Sequence, residues 1–322
     1  MKEVMIDGVP EGEPRSFGSK LKRFFLIFGL VLLGLLIAGG IFVWYNLAKL
    51  SLNPLDFGAL AQTDGHTNVL ILGVGDPGHA GQTLSDTMMV VSIDHTNKHV
   101  TMISLPRDLR VPIPGHGSAK INDANAFGGP TLAEQTVANV LGIPIHYYIE
   151  TDFTGLKQAV DDVGGLDITV TERLYDPEYP CPGDRGVCGV DIKPGNYHMN
   201  GDMVLQYTRC RKGTCGNDFG RAARQQEVIQ KLQDKIAHPG IYLNLKTDAA
   251  LLTTLRTYAK TDLSANDLVG VGLAMHRATN TTKFVFSTSP GGFLTNGGGS
   301  DLAPIGGNFS PIQHYVQTLI AQ

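Results

Sequence analysis

Neither sign of charge dominates this sequence: 26 lysines and arginines stand against 30 aspartates and glutamates, a formal net charge of -4. So even a balance supplies no overall field that would draw the chain to nucleic acid, and any anion binding must come from a local cluster. No internal repeat is apparent, which excludes a solenoid or propeller. No G-x-G-x-x-G opens a helix: Gly73 and Gly75 lead into a glycine-rich loop and then another apolar run, so the dinucleotide-binding fingerprint is absent. Cysteine is scarce and confined, with Cys181, Cys188, Cys210 and Cys215 all in one stretch. Their spacings lie off the usual C-x2-C zinc pattern, and two disulfides suit an exported domain better; local pairing, Cys181 with Cys188 and Cys210 with Cys215, is expected, with crossed pairings left open.

What is present divides the chain. Phe24 to Trp44, FFLIFGLVLLGLLIAGGIFVW, carries no charged residue and is long enough to cross a hydrocarbon layer of ~30 Å. Arg15, Lys20, Lys22 and Arg23 precede it and hold the N-terminus in the cytoplasm by the positive-inside rule. A cleaved signal peptide would have a shorter apolar region ending at small residues. The expected organisation is a cytoplasmic tail (1–23), a single membrane helix through the bilayer (24–44), an extracytoplasmic stalk (45–66) and one domain (67–322). With 42% hydrophobic residues, that domain is rich enough to build a core.

The domain opens with NVLILGVG, MMVVSID and HVTMISLP, three apolar runs that read as neighbouring strands in the middle of a sheet. Thr131 and Glu134 form a capping-box signature before a helix ending at Gly142. IPIHYYIE then reads as a strand, TGLKQAVDDVGG as a helix and LDITV as a strand. This order predicts an α/β fold, an α-β-α sandwich around a mixed central sheet. Further helices are expected in AALLTTLRTYAK, in SANDLVGVGLAM with a cap at Ser264 and Asp267, and in SPIQHYVQTLIA; KFVFSTS reads as a strand and GGFLTNGGGSDLAPIGGN as a surface loop.

The charge balance breaks in RCRKGTCGNDFGRAARQQ, residues 209–226, where Arg209, Arg211, Arg221 and Arg224 gather with Lys212. Asp218 is read as the N-cap of a helix whose buried stripe is Ala222, Ile229, Leu232 and Ile236. Arg221 and Gln225 lie one turn apart, with Arg224 beside them, at the end where free N–H groups and the helix dipole favour anions. As a strand, QYTRCR would send Arg209 and Arg211 to one face. Paired with Asp202, Asp218, Glu227 and Asp234, these arginines could instead form an ordinary solvated face. The preference for arginine over lysine argues for bidentate phosphate or carboxylate contacts.

Asp76 follows the first strand and Asp86 starts the second, so both carboxylates are expected at one edge of the sheet. Facing an arginine cluster, they suggest a divalent cation, Mg²⁺ or Mn²⁺, with a pyrophosphate. Arg107, in SLPRD, leaves the third strand at its tip, and Lys120 follows in KINDANAFGG.

Taken together, NVLILGVGD, SDTMMVVSI, SLPRD, KINDANAFGG, VGGLDITV, KPGNYHMNGDMVLQYTRCR and DFGRAARQQ resemble the LytR-CpsA-Psr family of bacterial cell-envelope proteins. The resemblance implies a phosphotransferase outside the membrane that moves a polyprenyl-pyrophosphate-linked glycan onto peptidoglycan with Mg²⁺. It implies that Asp86 binds the metal with Asp76 in the same site, that Arg107, Arg209, Arg211, Arg221 and Gln225 contact the pyrophosphate, and that Lys120 lies near it. Asp86 or Asp76 would assist deprotonation of the attacking hydroxyl, and Asp218 would orient the arginines. Many relatives carry an arginine just before SDT where this chain has Leu84; His79 and Arg224 are further candidates near the phosphates. Hydrolysis of the same lipid pyrophosphate, and a non-catalytic regulator that only holds it, are the competing functions.

Overall fold

The computed structural model describes residues 60–78, 81–181, 186–237 and 245–322. The expected tail and membrane helix, most of the stalk and His79 lie outside the described residues. Among the described residues no helix is long and apolar enough to cross a membrane. In chain order the elements are β1 (His66–Gly73), β2 (Thr87–Asp94), β3 (His99–Ser104), β4 (Arg110–Ile113), β5 (Gly117–Lys120), α1 (Asp123–Leu141), β6 (Tyr147–Thr151), α2 (Phe153–Asp162), β7 (Leu166–Val170), β8 (Leu174–Asp176), β9 (Val190–Ile192) and β10 (Gly195–Met199). There follow α3 (Gly201–Arg209), α4 (Asp218–Ala237), α5 (Leu245–Tyr258), β11 (Ala259–Thr261), α6 (Ala265–Arg277), β12 (Asn280–Val285), β13 (Leu294–Gly298), β14 (Asp301–Pro304) and α7 (Ser310–Ile320).

The central sheet runs β11-β6-β1-β2-β3-β12. It is mixed: β1 pairs parallel with β6 and β3 with β12, while β1–β2, β2–β3 and β6–β11 are antiparallel. Register decides what meets at its ends. Gly73 stands opposite both Thr87 and Thr151, and Ser104 opposite Met89 and Val285. The segments after β1, β3 and β6 and the one before β2 therefore converge on one edge.

Alternation along the strands supplies the two faces. Leu70, Leu72, Met88, Val90 and Ile103 pack with Val137 and Val140 of α1 and with Ile312 and Val316 of α7. Val69, Met89, Val91, Val100 and Met102 pack instead with Ile229 of α4 and Leu268 and Val271 of α6. A separate core under β7, β10, α2 and α3 takes in Val160, Ile168, Met199, Val204, Cys210 and Cys215. Gln226 of α4 is buried and donates to the Ser104 hydroxyl and the carbonyls of Met102 and Phe284, which fastens α4 to β3 and β12.

Several local expectations are corrected. Leu60 is buried in a core cluster and Thr63 bridges to His66, so the domain already includes residues expected in the stalk. The helix expected at Thr131 is the second half of α1. Its axis breaks at Gly128 and Gly129, where Gly129 has φ 69°, and Pro130 follows at a position whose N–H a helix start does not need. The expected surface loop near residue 300 contains the hairpin β13–β14. QYTRCR is not a strand: Asn200 accepts from Met203 N and caps α3, which buries Val204, Tyr207 and Thr208. The capping box at Ser264 and Asp267 is present, and α1 ends on left-handed Gly142.

Glu134 on α1 is half-buried beside Asp262, and burial first, then that neighbouring carboxylate, raises its pKa to about 7. An unfolded glutamate titrates near ~4.3, so the folded protein retains a proton between those values that the unfolded chain has lost. Stability contributed by this group is full below the unfolded pKa and falls as pH rises through 7. Glu134→Gln should therefore stabilise the domain at pH ~8 by on the order of 1–3 kcal/mol and change little at pH ~4. Urea midpoints at the two pH values check this; equal shifts at both would reject it.

Candidate functional site

The shared sheet edge gathers the acids and the first cation. Asp86 Oδ1 accepts from Arg107 Nη1 at 2.5 Å, and the Asp86 carbonyl accepts from Arg221 Nη2 at 3.2 Å. Arg107 Nε is buried and makes no hydrogen bond among the described residues; Asp108 and Asp218 stand 3.7 and 3.5 Å from it. Burial works to lower the Arg107 pKa, but Asp86, Asp218 and Asp108 together raise it, so its charge is secure. Asp76 lies at the same edge, where its Oδ1 accepts from Thr154 N in the first turn of α2 at 2.9 Å.

The α4 end is organised differently from the sequence expectation. Asn217, not Asp218, caps the helix, accepting from Phe219 N and Gly220 N. Asp218 lies inside the first turn and stands between Arg107 and Arg221, 3.5 Å from each. Asp218 is thus in contact with two of the arginines but is not the cap. Arg221 is 7% exposed; burial lowers its pKa, Asp218 opposes this, and the nearby charges of Arg107 and Arg211 add to the lowering. Among the described residues, three guanidiniums therefore gather with Asp86, Asp218 and Asp108 against them, and Asp108 also pairs with Lys120, an arrangement that an anion completes.

Arg224 is not part of that cluster's ligand face. Its Nε donates to the Tyr207 carbonyl at 2.8 Å, Nη1 to the Cys215 carbonyl at 2.9 Å, and Nη2 to the Cys210 carbonyl. All three guanidinium nitrogens are thereby engaged in bracing the loop that the Cys210–Cys215 disulfide closes between α3 and α4. The second disulfide joins Cys181 and Cys188, so both local pairings stand. A zinc alternative is removed with them: among the described residues, the one group of three metal-ligating side chains is Asp176 with Cys210 and Cys215, and the two sulfurs are bonded to each other.

Because α3 is a helix, Arg209 and Arg211 part company. Arg211 is exposed beyond Cys210. Arg209 lies with its guanidinium 3.9 Å over the Phe153 ring and 5.8 Å from that of Tyr179, a cation–π placement. Arg209 and Gln225 line a narrow apolar groove of about 70 Å³ between β1, β2 and helices α2, α3 and α4, with Ile71, Met89, Leu156 and Val228 among its walls. Lys120 is held away by Asp108 at 2.5 Å and the Ser300 hydroxyl at 2.9 Å, with Asp301 at 3.8 Å. Its link to the arginine cluster runs through Asp108, which also faces Arg107.

A cavity of about 380 Å³ on the other side of Thr151 and Asp152 was not expected from the sequence. Asn125, Glu150 and Lys260 line it. Asn125 lies in KINDANAFGG, but no motif marks Glu150 or Lys260; the three come from α1, β6 and β11, and the strand order β11-β6-β1 brings them together.

The LytR_cpsA_psr family model matches residues 47–295. Regulatory protein MsrR of Staphylococcus aureus (strain COL) is 35% identical over 220 residues, 68% of this chain; the match spans 63% of MsrR, less than two thirds of that relative. Polyisoprenyl-teichoic acid--peptidoglycan teichoic acid transferase TagU of Bacillus anthracis (strain CDC 684 / NRRL 3495) is 32% identical over 263 residues, 77% of this chain and 82% of TagU. The solved structure of TagT bound to LI-WTA superposes with a TM-score of 0.64 at 25% identity, over 80% of this chain and 92% of TagT. With its mixed sheet, the acids and arginines at one edge and these matches, the chain belongs to the LytR-CpsA-Psr family.

Proposed function

We propose that this protein is a phosphotransferase that moves a glycan from a polyprenyl-pyrophosphate carrier to peptidoglycan at the outer face of the membrane. One observation carries the reading: an apolar groove has Arg209 and Gln225 on its lining, and Gln225 lies one turn along α4 from the buried Arg221 of the guanidinium cluster. A ligand with an apolar tail and a strongly anionic head fits that combination. The membrane helix expected at 24–44 would hold the domain beside its lipid donor.

In the reaction, an acceptor hydroxyl forms an O–P bond to the phosphorus that carries the glycan. The bond from that phosphorus to the bridging oxygen breaks, polyprenyl phosphate leaves with the electron pair, and the hydroxyl proton passes to a carboxylate. Arg107, Arg211 and Arg221 neutralise the phosphate oxygens, the main contribution a protein makes to such a transfer. Asp218 orients two of them. The grip of Arg107 on Asp86 favours Asp76 as the proton acceptor. Asp86 and Asp76 each have one oxygen engaged by a protein donor and offer hard oxygen ligands, a donor set that suits Mg²⁺ or Mn²⁺ held with substrate phosphates. Such an ion, when bound, would supply further charge neutralisation on the phosphate oxygens.

Incubating the full chain with a lipid-pyrophosphate oligosaccharide, Mg²⁺ and nascent peptidoglycan should yield a phosphodiester-linked conjugate by mass spectrometry. Release of lipid phosphate without conjugate would turn the reading into a hydrolase. Binding also has an ionic signature. Arg211→Ala, an exposed position, should weaken polyprenyl-pyrophosphate binding about tenfold at low ionic strength, ~1.4 kcal/mol, and the gap to the parent should narrow in high salt. A gap independent of salt would remove Arg211 from the anion site.

A further inference from the structure

The cavity lined by Asn125, Glu150, Asp152, Thr257, Tyr258 and Lys260 differs in chemistry from the arginine cluster. Glu150 is 5% exposed; its two carboxylate oxygens accept from Asn125 Nδ2 and Lys260 Nζ, both at 2.7 Å. Asn125, also 5% exposed, donates to the Thr83 carbonyl at 3.0 Å, and its Oδ1 has no hydrogen-bond partner among the described residues. Burial and the charge of Asp76 raise the Asp152 pKa, opposed by the hydrogen bond from Gly155 N. Lys260, largely exposed, is the one cation on the lining. A wall of carboxylates and an amide repels a second phosphate and accepts hydroxyl and amide protons. Its volume, about 380 Å³, lies within the ~300–1,000 Å³ of small-ligand sites.

Position gives the cavity its meaning. Val74, Gly75 and Pro77 line it, so its wall is the chain on both sides of Asp76. Thr151 and Asp152 line both this cavity and the apolar groove. A ligand in the cavity therefore lies across that shared wall from the lipid groove, next to the acid assigned to take the proton.

We infer that this cavity seats the acceptor saccharide, an uncharged polyhydroxylated N-acetylhexosamine unit, and presents its hydroxyl to the phosphorus held by the arginines. The inference rests on the transfer reading above and deepens it. Donor and acceptor then have separate half-sites, cationic and apolar on one side, acidic and amide-lined on the other.

The test uses the full chain and an uncharged tetrasaccharide of N-acetylglucosamine as probe, with binding read by saturation-transfer NMR and calorimetry. Thr257→Trp places bulk at an exposed lining position, and Glu150→Gln keeps shape while removing the charge that holds Lys260. Each should weaken tetrasaccharide binding about tenfold or more, raise the acceptor KM, and leave binding of octaprenyl pyrophosphate within about twofold of the parent. Parent-like tetrasaccharide binding in Thr257→Trp would overturn the inference, as would failure of the parent to bind the tetrasaccharide at all. Because saccharide binding is read without turnover, absence of a conjugate would sink the transfer reading and leave this measurement standing.

Discussion

Asp86→Ala should reduce turnover of the lipid-linked donor by on the order of 10²–10³-fold, the range seen when one preorganised charge contact to a transition state is removed. Two functions are lost together. The carboxylate fixes Arg107 through its 2.5 Å contact, and it is one of the two hard ligands proposed for the cation. The Asp86 backbone carbonyl still accepts from Arg221, so the second arginine stays placed and the loss belongs to the side chain. At 33% side-chain exposure, Asp86 contributes little to the core, and thermal unfolding should move by only a degree or two if the remaining acids keep Arg107 paired. Asp86→Asn separates the parts further: it retains a hydrogen-bond acceptor for Arg107 without its charge and should fall between parent and alanine. Steady-state rates on the full chain with a lipid-pyrophosphate oligosaccharide check both variants. An unchanged rate in Asp86→Ala would remove the residue from the mechanism.

Arg224→Ala should be the most damaging change to the fold near the site. Its guanidinium serves the carbonyls of Tyr207, Cys210 and Cys215, and those three residues are 5%, 0% and 2% exposed. An unsatisfied buried polar group costs about 1–3 kcal/mol, so stripping three acceptors together should cost roughly 3 kcal/mol or more. For a domain of this size that is a fall in Tm of roughly 6–12 °C. Lysine should not rescue it, because one ammonium on a flexible stem cannot reproduce a planar fork that spans three carbonyls. Donor affinity should fall as well, since the loop carries Arg211 into the cluster. Calorimetric unfolding of parent, alanine and lysine variants reads the first effect; a melting temperature within a degree of the parent in Arg224→Ala would refute the bracing role.

The strands that carry the site were legible because burial on both faces makes them near-continuous apolar runs, as in β1 and β2. The placement of Asp76 and Asp86 followed from where those runs begin and end. Arg209 was misread because alternation over QYTRCR mimics a strand when the cap at Asn200 goes unnoticed; tertiary burial of Val204 and Tyr207 decides for helix. Arg224 and Lys120 looked like ligands for the anion because a sequence shows charge and not partners. Only the folded chain reveals that one is consumed by carbonyls and the other by Asp108. The cavity around Asn125 and Glu150 was not legible, although Asn125 lies in KINDANAFGG, because Glu150 and Lys260 come from distant segments that carry no motif.

The pairing of β2 between β1 and β3 has a consequence for how the site tolerates change. Asp86 is the residue immediately before a strand whose members from Met88 to Asp94 are all buried. A slip of that strand by one residue would turn every side chain to the opposite face, exchanging Met88 and Val90 with Met89 and Val91 between two differently shaped cores. The carboxylate is thus indexed by methionine and valine packing far from any phosphate. Substitutions in the middle of β2 that alter side-chain volume therefore bear on the placement of that charge as well as on the two cores.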